Sequence, residues 1–223
     1  MKESSYMKFY LFSKIEFEIP DPISLIECYC YQSDFYSKYD VIENRVIEDV
    51  NKIGARLKSK TISDCGVVIE DAEKLAIFQN TLDQFLNLER KEREKQIKEL
   101  NEVVFQELFK IKGIRFSTAT KILHTIYPEL IPMIDNPLQR KYRKEINPSW
   151  TKANATEILI DFYENLKMDS IRKNLDEIST ELTRINLKHL TKIRIFDILW
   201  WSYLKADRLK NKIGISLIST ECY

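Results

Sequence analysis

Two polar stretches of this chain hold residue types that could do chemistry. The first runs Ile111-Lys112-Gly113-Ile114-Arg115, with Ser117 and Thr118 just beyond and Lys121 one helical turn further on. Gly113 supplies the positive φ that a sharp helix-to-helix turn needs. Ser117 or Thr118 offers a side-chain oxygen to cap a helix that continues through Ala119, Ile122, Leu123 and Ile126. Two short helices joined this way expose turn amides and a helix N-terminus together. That is an anion site, and on a nucleic acid the anion is a backbone phosphate. The second stretch starts at Asp135 and continues Asn-Pro-Leu-Gln-Arg. Asp135 and Pro137 suit a helix start, so a simple N-cap explains the carboxylate. Arg140, Lys141, Arg143 and Lys144 follow within two turns. They could grip phosphates, or form a solvated basic face.

These stretches need helices to hold them, and the surrounding pattern supplies helices. Leu108 and Phe109 close the one before the turn. Leu159, Phe162 and Tyr163 mark the core face of a helix near 152–166, after a break at the Asn147-Pro148-Ser149-Trp150 run. Another is expected at 169–184. The last, about 188–205, buries Ile193, Phe196, Trp200 and Leu204 at helical spacing. Asp197 lies among them, so it should pair with Arg194, reach another helix, or serve as a second catalytic carboxylate; Trp200 and Trp201 belong to the core or wall a base pocket.

Toward the N-terminus, Lys14 to Ile19 alternates polar and apolar like a short strand. Asp21-Pro22 opens a helix through Ile26 and Tyr29. Tyr29, Tyr31, Phe35, Tyr36 and Tyr39 either pack that helix or stack bases. A helix is expected at 43–57, followed by the basic Arg56, Lys58 and Lys60. Ser63 to Val68 reads as a loop, with a helix from Ile69 or Glu70 whose stripe is Leu75, Phe78, Leu82, Phe85 and Leu86. Residues 89–102 are almost all charged and read as an exposed helix, after a break near 87–92.

The string from Ile111 to Arg140 resembles the helix-hairpin-helix DNA glycosylase superfamily. IKGIRFSTATKIL is similar to its hairpin and second helix, and IPMIDNPLQR to its aspartate segment. The chain is similar also to an uncharacterised prokaryotic group on the same core, ending in a helix like RIFDILWW. The resemblance implies a glycosylase-like helical core with Asp135 as the catalytic carboxylate. It implies DNA contacts from Lys112, Gly113, Arg115, Ser117, Thr118 and Lys121 at the hairpin, and from Arg140, Lys141 and Arg143 beyond it. Arg115 stands where the family has its second hairpin glycine. Ser117 stands at the Schiff-base lysine position, so strand cleavage through an imine is not expected. The iron–sulfur cysteines are absent.

Composition agrees with a helical globular chain. Of 223 residues, 44% are hydrophobic and 31% charged, and four glycines leave little turn material for an all-β fold. No run of about 18 uncharged apolar residues is present, so no membrane association is expected. The N-terminus lacks a long apolar stretch with a cleavage site, and Cys28, Cys30, Cys65 and Cys222 form no CxxC pair. Both suit reduced thiols in the cytoplasm. Net charge is +1, but residues 1–103 carry 15 basic and 20 acidic side chains against 20 and 14 in residues 104–223. The basic half points to a polyanion partner. There is no GxGxxG, no GxxxxGK and no HExxH, and His124 and His189 are far apart, so no cofactor or metal is expected.

The expectation is therefore an all-α, mainly helical protein with a possible short N-terminal strand. An N-terminal helical region, 1–100, packs on a core of 101–223. The implied function is DNA binding with hydrolysis of a base–sugar bond by Asp135. The alternative is a non-catalytic module in which the hairpin binds nucleic acid or a protein and Asp135 only caps its helix.

Overall fold

A computed structural model of the chain describes residues 6–32, 57, 61–187 and 190–213, with the backbone alone at 31–32, 62 and 207–213. Among them the order is β1 (Met7–Leu11), β2 (Ile15–Ile19), α1 (Pro22–Gln32), α2 (Thr61–Ala72), a 3-10 turn (Ala76–Gln79), α3 (Leu82–Asn87) and α4 (Arg90–Leu100). There follow a π-helical turn (Asn101–Phe105), α5 (Gln106–Lys110), α6 (Phe116–Ile126), α7 (Asn136–Glu145), α8 (Thr156–Leu166), α9 (Asp169–Arg184) and α10 (Lys192–Ile213). The mainly helical class expected from composition holds, as does the N-terminal strand. The expected helix at 43–57, the basic run at 56–60, His189 and Cys222 lie outside the described residues. The chain divides into two compact units, Met1–Tyr36 with Glu164–Tyr223, and Ser37–Tyr163.

In the terminal unit the predicted strand finds its partner immediately upstream. β1 and β2 pair antiparallel with Phe9 opposite Phe17 and Lys8 opposite Glu18. Alternation sends Phe9, Leu11, Phe17 and Ile19 to the buried face, while Lys8 reaches Glu16 at 3.0 Å and Glu18 at 3.5 Å on the other. The connecting turn holds Phe12 and Ser13 at φ of 52° and 57°, a conformation that disfavours side chains. The fold over-determines it. Asn165, fully buried, accepts from the Ser13 amide at 2.7 Å and donates to the Tyr10 carbonyl at 2.7 Å. Phe12 is buried against Trp200 at 4.8 Å. α1 begins as expected, with Asp21 accepting from the Ser24 amide at 2.9 Å. α9 buries Ile171, Leu175, Ile178 and Leu182, one stripe at helical spacing. Cys30 is a buried free thiol here, and Cys65 is another in the central unit.

The central unit corrects two sequence expectations. Residues 63–68 belong to α2 rather than a loop, because Cys65, Ile69 and Ala72 make a helical stripe that is buried. The stripe expected for one helix instead divides between the 3-10 turn and α3, whose start is a capping box of Thr81 and Gln84. The break near 87–92 is real. The charged helix after it is not exposed all round, for Arg93, Gln96, Ile97 and Leu100 are buried. The Arg93 guanidinium donates to the Leu86 carbonyl at 3.2 Å and to the Leu88 carbonyl, closing the C-terminal end of α3. The π-helical turn then places Val104 and Phe105 in the core and lets Asn101 Oδ1 accept from the Ala155 amide at 3.1 Å.

Candidate nucleic-acid interface

The hairpin forms where expected. α5 ends at Lys110, Ile111 donates back to Leu108 at 3.1 Å, and Ile114 donates to Ile111 at 3.1 Å. Gly113 has φ of 94°, is exposed, and has nothing within 4 Å of where a Cβ would sit. The turn is therefore a surface feature, open to a large ligand. Lys112 and Arg115 flank the glycine and are exposed as well.

α6 is capped two residues before Ser117 and three before Thr118, the two expected cap positions. Its N-cap is Arg115, in extended backbone, and no side chain caps it. The amides of Thr118 and Ala119 return to the Arg115 carbonyl at 2.8 Å each. The Phe116 and Ser117 amides stand ahead of that ladder, at the positive end of the helix dipole. The reason Phe116 takes the first helical position is packing. Its buried ring lies 5.4 Å from Phe105 and 5.7 Å from Trp150.

Asp135 opens α7 differently. Its Oδ1 accepts from the Leu138 amide at 3.0 Å, and Pro137 occupies the first turn. The loop that brings it there is pinned from both sides. Thr120 on α6 accepts from the Ile134 amide at 3.1 Å, and Gln139 on α7 donates to the Ile134 carbonyl at 2.8 Å. His124 Nδ1 lies 2.5 Å from the Ile131 carbonyl, so that nitrogen carries the proton, and Tyr163 donates to the Leu130 carbonyl at 2.6 Å. His124 is thus a packed residue. Burial pushes the Asp135 carboxyl above its ordinary range, against the opposing pull of the Leu138 amide, Lys121 and Arg140.

Of the sequence-predicted residues, then, Lys112, Gly113 and Arg115 share the turn, while Ser117, Thr118 and Lys121 are half-buried on α6. Lys121 and Arg140 both act on Asp135. Arg140, Arg143 and Lys144 are exposed on α7, and Lys141 is half-buried with its amine 3.0 Å from Glu145. Asp197 is buried in α10, in the terminal unit, whereas Asp135 belongs to the central one.

Sequence reasoning missed the frame of the site. Trp150 joins the start of α6 to α7, with Tyr142 edge-on at 5.7 Å, and Tyr142 donates to Asp161 on α8 at 2.7 Å. Thr120 and Gln139 were polar residues on apolar stripes, the one signal that could have exposed them. Among the described residues no group of three or more His, Cys, Asp or Glu could hold a metal ion, and no helix is long and apolar enough to cross a membrane.

The architecture is thus a mainly helical one whose central unit displays an open helix–turn–helix edge. Residues 79–204, more than half of the chain, match the family of unknown function DUF6308, and the chain belongs to that family. No curated protein and no solved structure matches it.

Proposed function

We propose that this protein binds nucleic acid, with DNA the first candidate, through the α5–α6 hairpin. The observation that carries the reading is the exposed Gly113 turn set against an uncapped helix start, between the exposed cations Lys112 and Arg115. A phosphate at that point would meet the Phe116 and Ser117 amides and the positive end of α6. Exposed Arg140 and Arg143 on α7 supply further charge for flanking phosphates. The resemblance to helix-hairpin-helix glycosylases supports the same assignment.

The test is anisotropy of labelled duplex and single-stranded DNA across a salt series. Binding should weaken steeply with salt. Lys112→Glu with Arg115→Glu should weaken it about a hundredfold at low salt and flatten the slope of log K against log salt by roughly two. Equal affinity in the double variant would remove the hairpin from the interface.

A second reading makes the protein a monofunctional N-glycosylase. Its support is a carboxyl that feels the positive charges of Lys121 and Arg140. Cleavage of a base–sugar bond builds positive charge on the sugar, which an ionised Asp135 would stabilise while orienting a water. The cap bond to Leu138 already accounts for one oxygen of that carboxylate, so binding without catalysis stands first. Asp135→Asn separates the two, since asparagine caps a helix as well as aspartate. Base release from a panel of modified duplexes that vanishes in Asp135→Asn, with binding intact, establishes catalysis. Release unaffected by the substitution removes Asp135 from the chemistry, and no release at all leaves the binding module.

A further inference from the structure

We propose that the terminal unit carries a second nucleic-acid contact, a single-strand platform on α10 in which an unpaired base stacks on Trp201 and its phosphate meets Lys205. This goes beyond the hairpin reading and does not depend on it. Of the three tryptophans, Trp150 and Trp200 are 3% and 1% exposed, whereas Trp201 is 38% exposed. Trp201 is thus the tryptophan whose ring surface a ligand can reach.

The indole is held rather than loose. Tyr29 on α1 meets it edge-on at 5.4 Å, and the Arg194 guanidinium lies 5.1 Å from the Tyr29 ring with Nη2 donating to its hydroxyl at 3.0 Å. The Lys205 amine lies over the Trp201 ring, 4.8 Å from its centre, so a stacking base takes its place and the displaced amine meets the phosphate. Positions 194, 201 and 205 fall on one stripe of α10, which continues as helix to Ile213. Residues 201–213 hold Lys205, Arg208, Lys210 and Lys212 against Asp207 alone. An oriented aromatic ring covered by one displaceable cation, in a stretch of sequence rich in Lys and Arg, suits a base with its phosphate. Every base has a π face, so such a platform does not depend on base sequence.

A membrane surface would use aromatics and cations too, but it needs a broad apolar face. Between Lys192 and Ala206, where the side chains of α10 are described, Trp201 is the one large exposed apolar residue. That favours a stacked base.

Trp150 and Trp200 are shielded from a stacking ligand, so the change in intrinsic fluorescence on binding reports on Trp201. Oligodeoxythymidylate added to the full-length protein at low salt should quench it. Trp201→Ala should bind a labelled oligonucleotide about tenfold more weakly, with Trp201→Phe in between. Lys205→Glu keeps the indole while removing the cation over it, should weaken binding, and serves also if Trp201→Ala lowers the melting temperature. The hairpin double variant Lys112→Glu with Arg115→Glu should keep the quench, so failure of the hairpin reading stays distinguishable. Absent quenching, unchanged oligonucleotide affinity in Trp201→Ala and Lys205→Glu, or quenching by phosphatidylserine vesicles but not by the oligonucleotide overturns the proposal.

Discussion

Two helices of the central unit begin close together in sequence and are finished in opposite ways. α6 starts at Phe116 with no side-chain cap, next to an exposed glycine turn. α7 starts at Asn136 with Asp135 folded onto the Leu138 amide and Pro137 in its first turn. Both ends carry the partial positive charge of a helix N-terminus. One has its anion built in, and the other has none from a side-chain cap. The difference teaches where an external phosphate has something to gain. At α7 it would compete with a carboxylate already in place; at α6 it would meet unengaged amides. This is why the hairpin, and not the aspartate, carries the proposed function.

The comparison depends on a shared frame, so the largest effect should come from breaking it. Trp150 touches Phe116, the first residue of α6, and Tyr142 in α7. Trp150→Ala should lower unfolding free energy by about 3–5 kcal/mol, read by urea denaturation, through lost burial and the cavity left behind. A loss under about 1 kcal/mol would mean that the two helix starts are held independently.

Gly113→Ala comes next. With φ of 94° and open space around the position, the substitution meets strain and no clash. Destabilisation of about 1–2 kcal/mol is expected, from the left-handed backbone alone. A neutral result would show that the turn relaxes easily and that its amides are not held in place for a ligand.

Asp135→Ala should cost about 1 kcal/mol and Asp135→Asn close to nothing, because asparagine restores the bond to the Leu138 amide. The same pair of variants sharpens the contrast between the two ends. Opening α7 with alanine should leave hairpin binding of DNA unchanged. If binding rises in Asp135→Ala, the α7 start is a phosphate site that its own carboxylate blocks.

Periodic features were legible in the sequence, and context-dependent ones were not. The helices after the hairpin follow the apolar spacing of Leu159, Phe162 and Tyr163 and of Ile193, Phe196 and Trp200, all buried. The turn at Gly113 was visible because glycine is the residue that tolerates its φ. α2 was missed because Ser63 and Gly66 look like loop material, while the buried stripe of Cys65, Ile69 and Ala72 mixes residue types. Arg93 was misread for a related reason. A charge pattern says nothing about carbonyls brought near by another helix, and the buried guanidinium satisfies two of them. At the candidate site, the cap role of Asp135 followed from its neighbours Asn136 and Pro137. The clamp of Thr120 and Gln139 on Ile134 did not, because it joins residues whose proximity exists only once α6 and α7 are packed.

The smallest effect is also the most direct probe of the closed end. Burial raises the Asp135 carboxyl above its ordinary 3.8, while the Leu138 amide, Lys121 and Arg140 pull it back. A folded chain with a raised carboxyl holds its proton more tightly than the unfolded chain does. Its stabilising contribution is therefore complete below the unfolded value and is lost as pH rises through the folded one. Asp135→Asn cannot titrate. The stability of wild type relative to Asp135→Asn should accordingly fall as pH rises from the acid side of 3.8 and level off toward neutrality, measured by thermal melts of both proteins. A difference that grows with pH would have the opposite meaning. The amide and the two cations would then outweigh burial, the carboxylate would be the preferred form in the folded chain, and the contrast between the two helix starts would be sharper than burial alone allows.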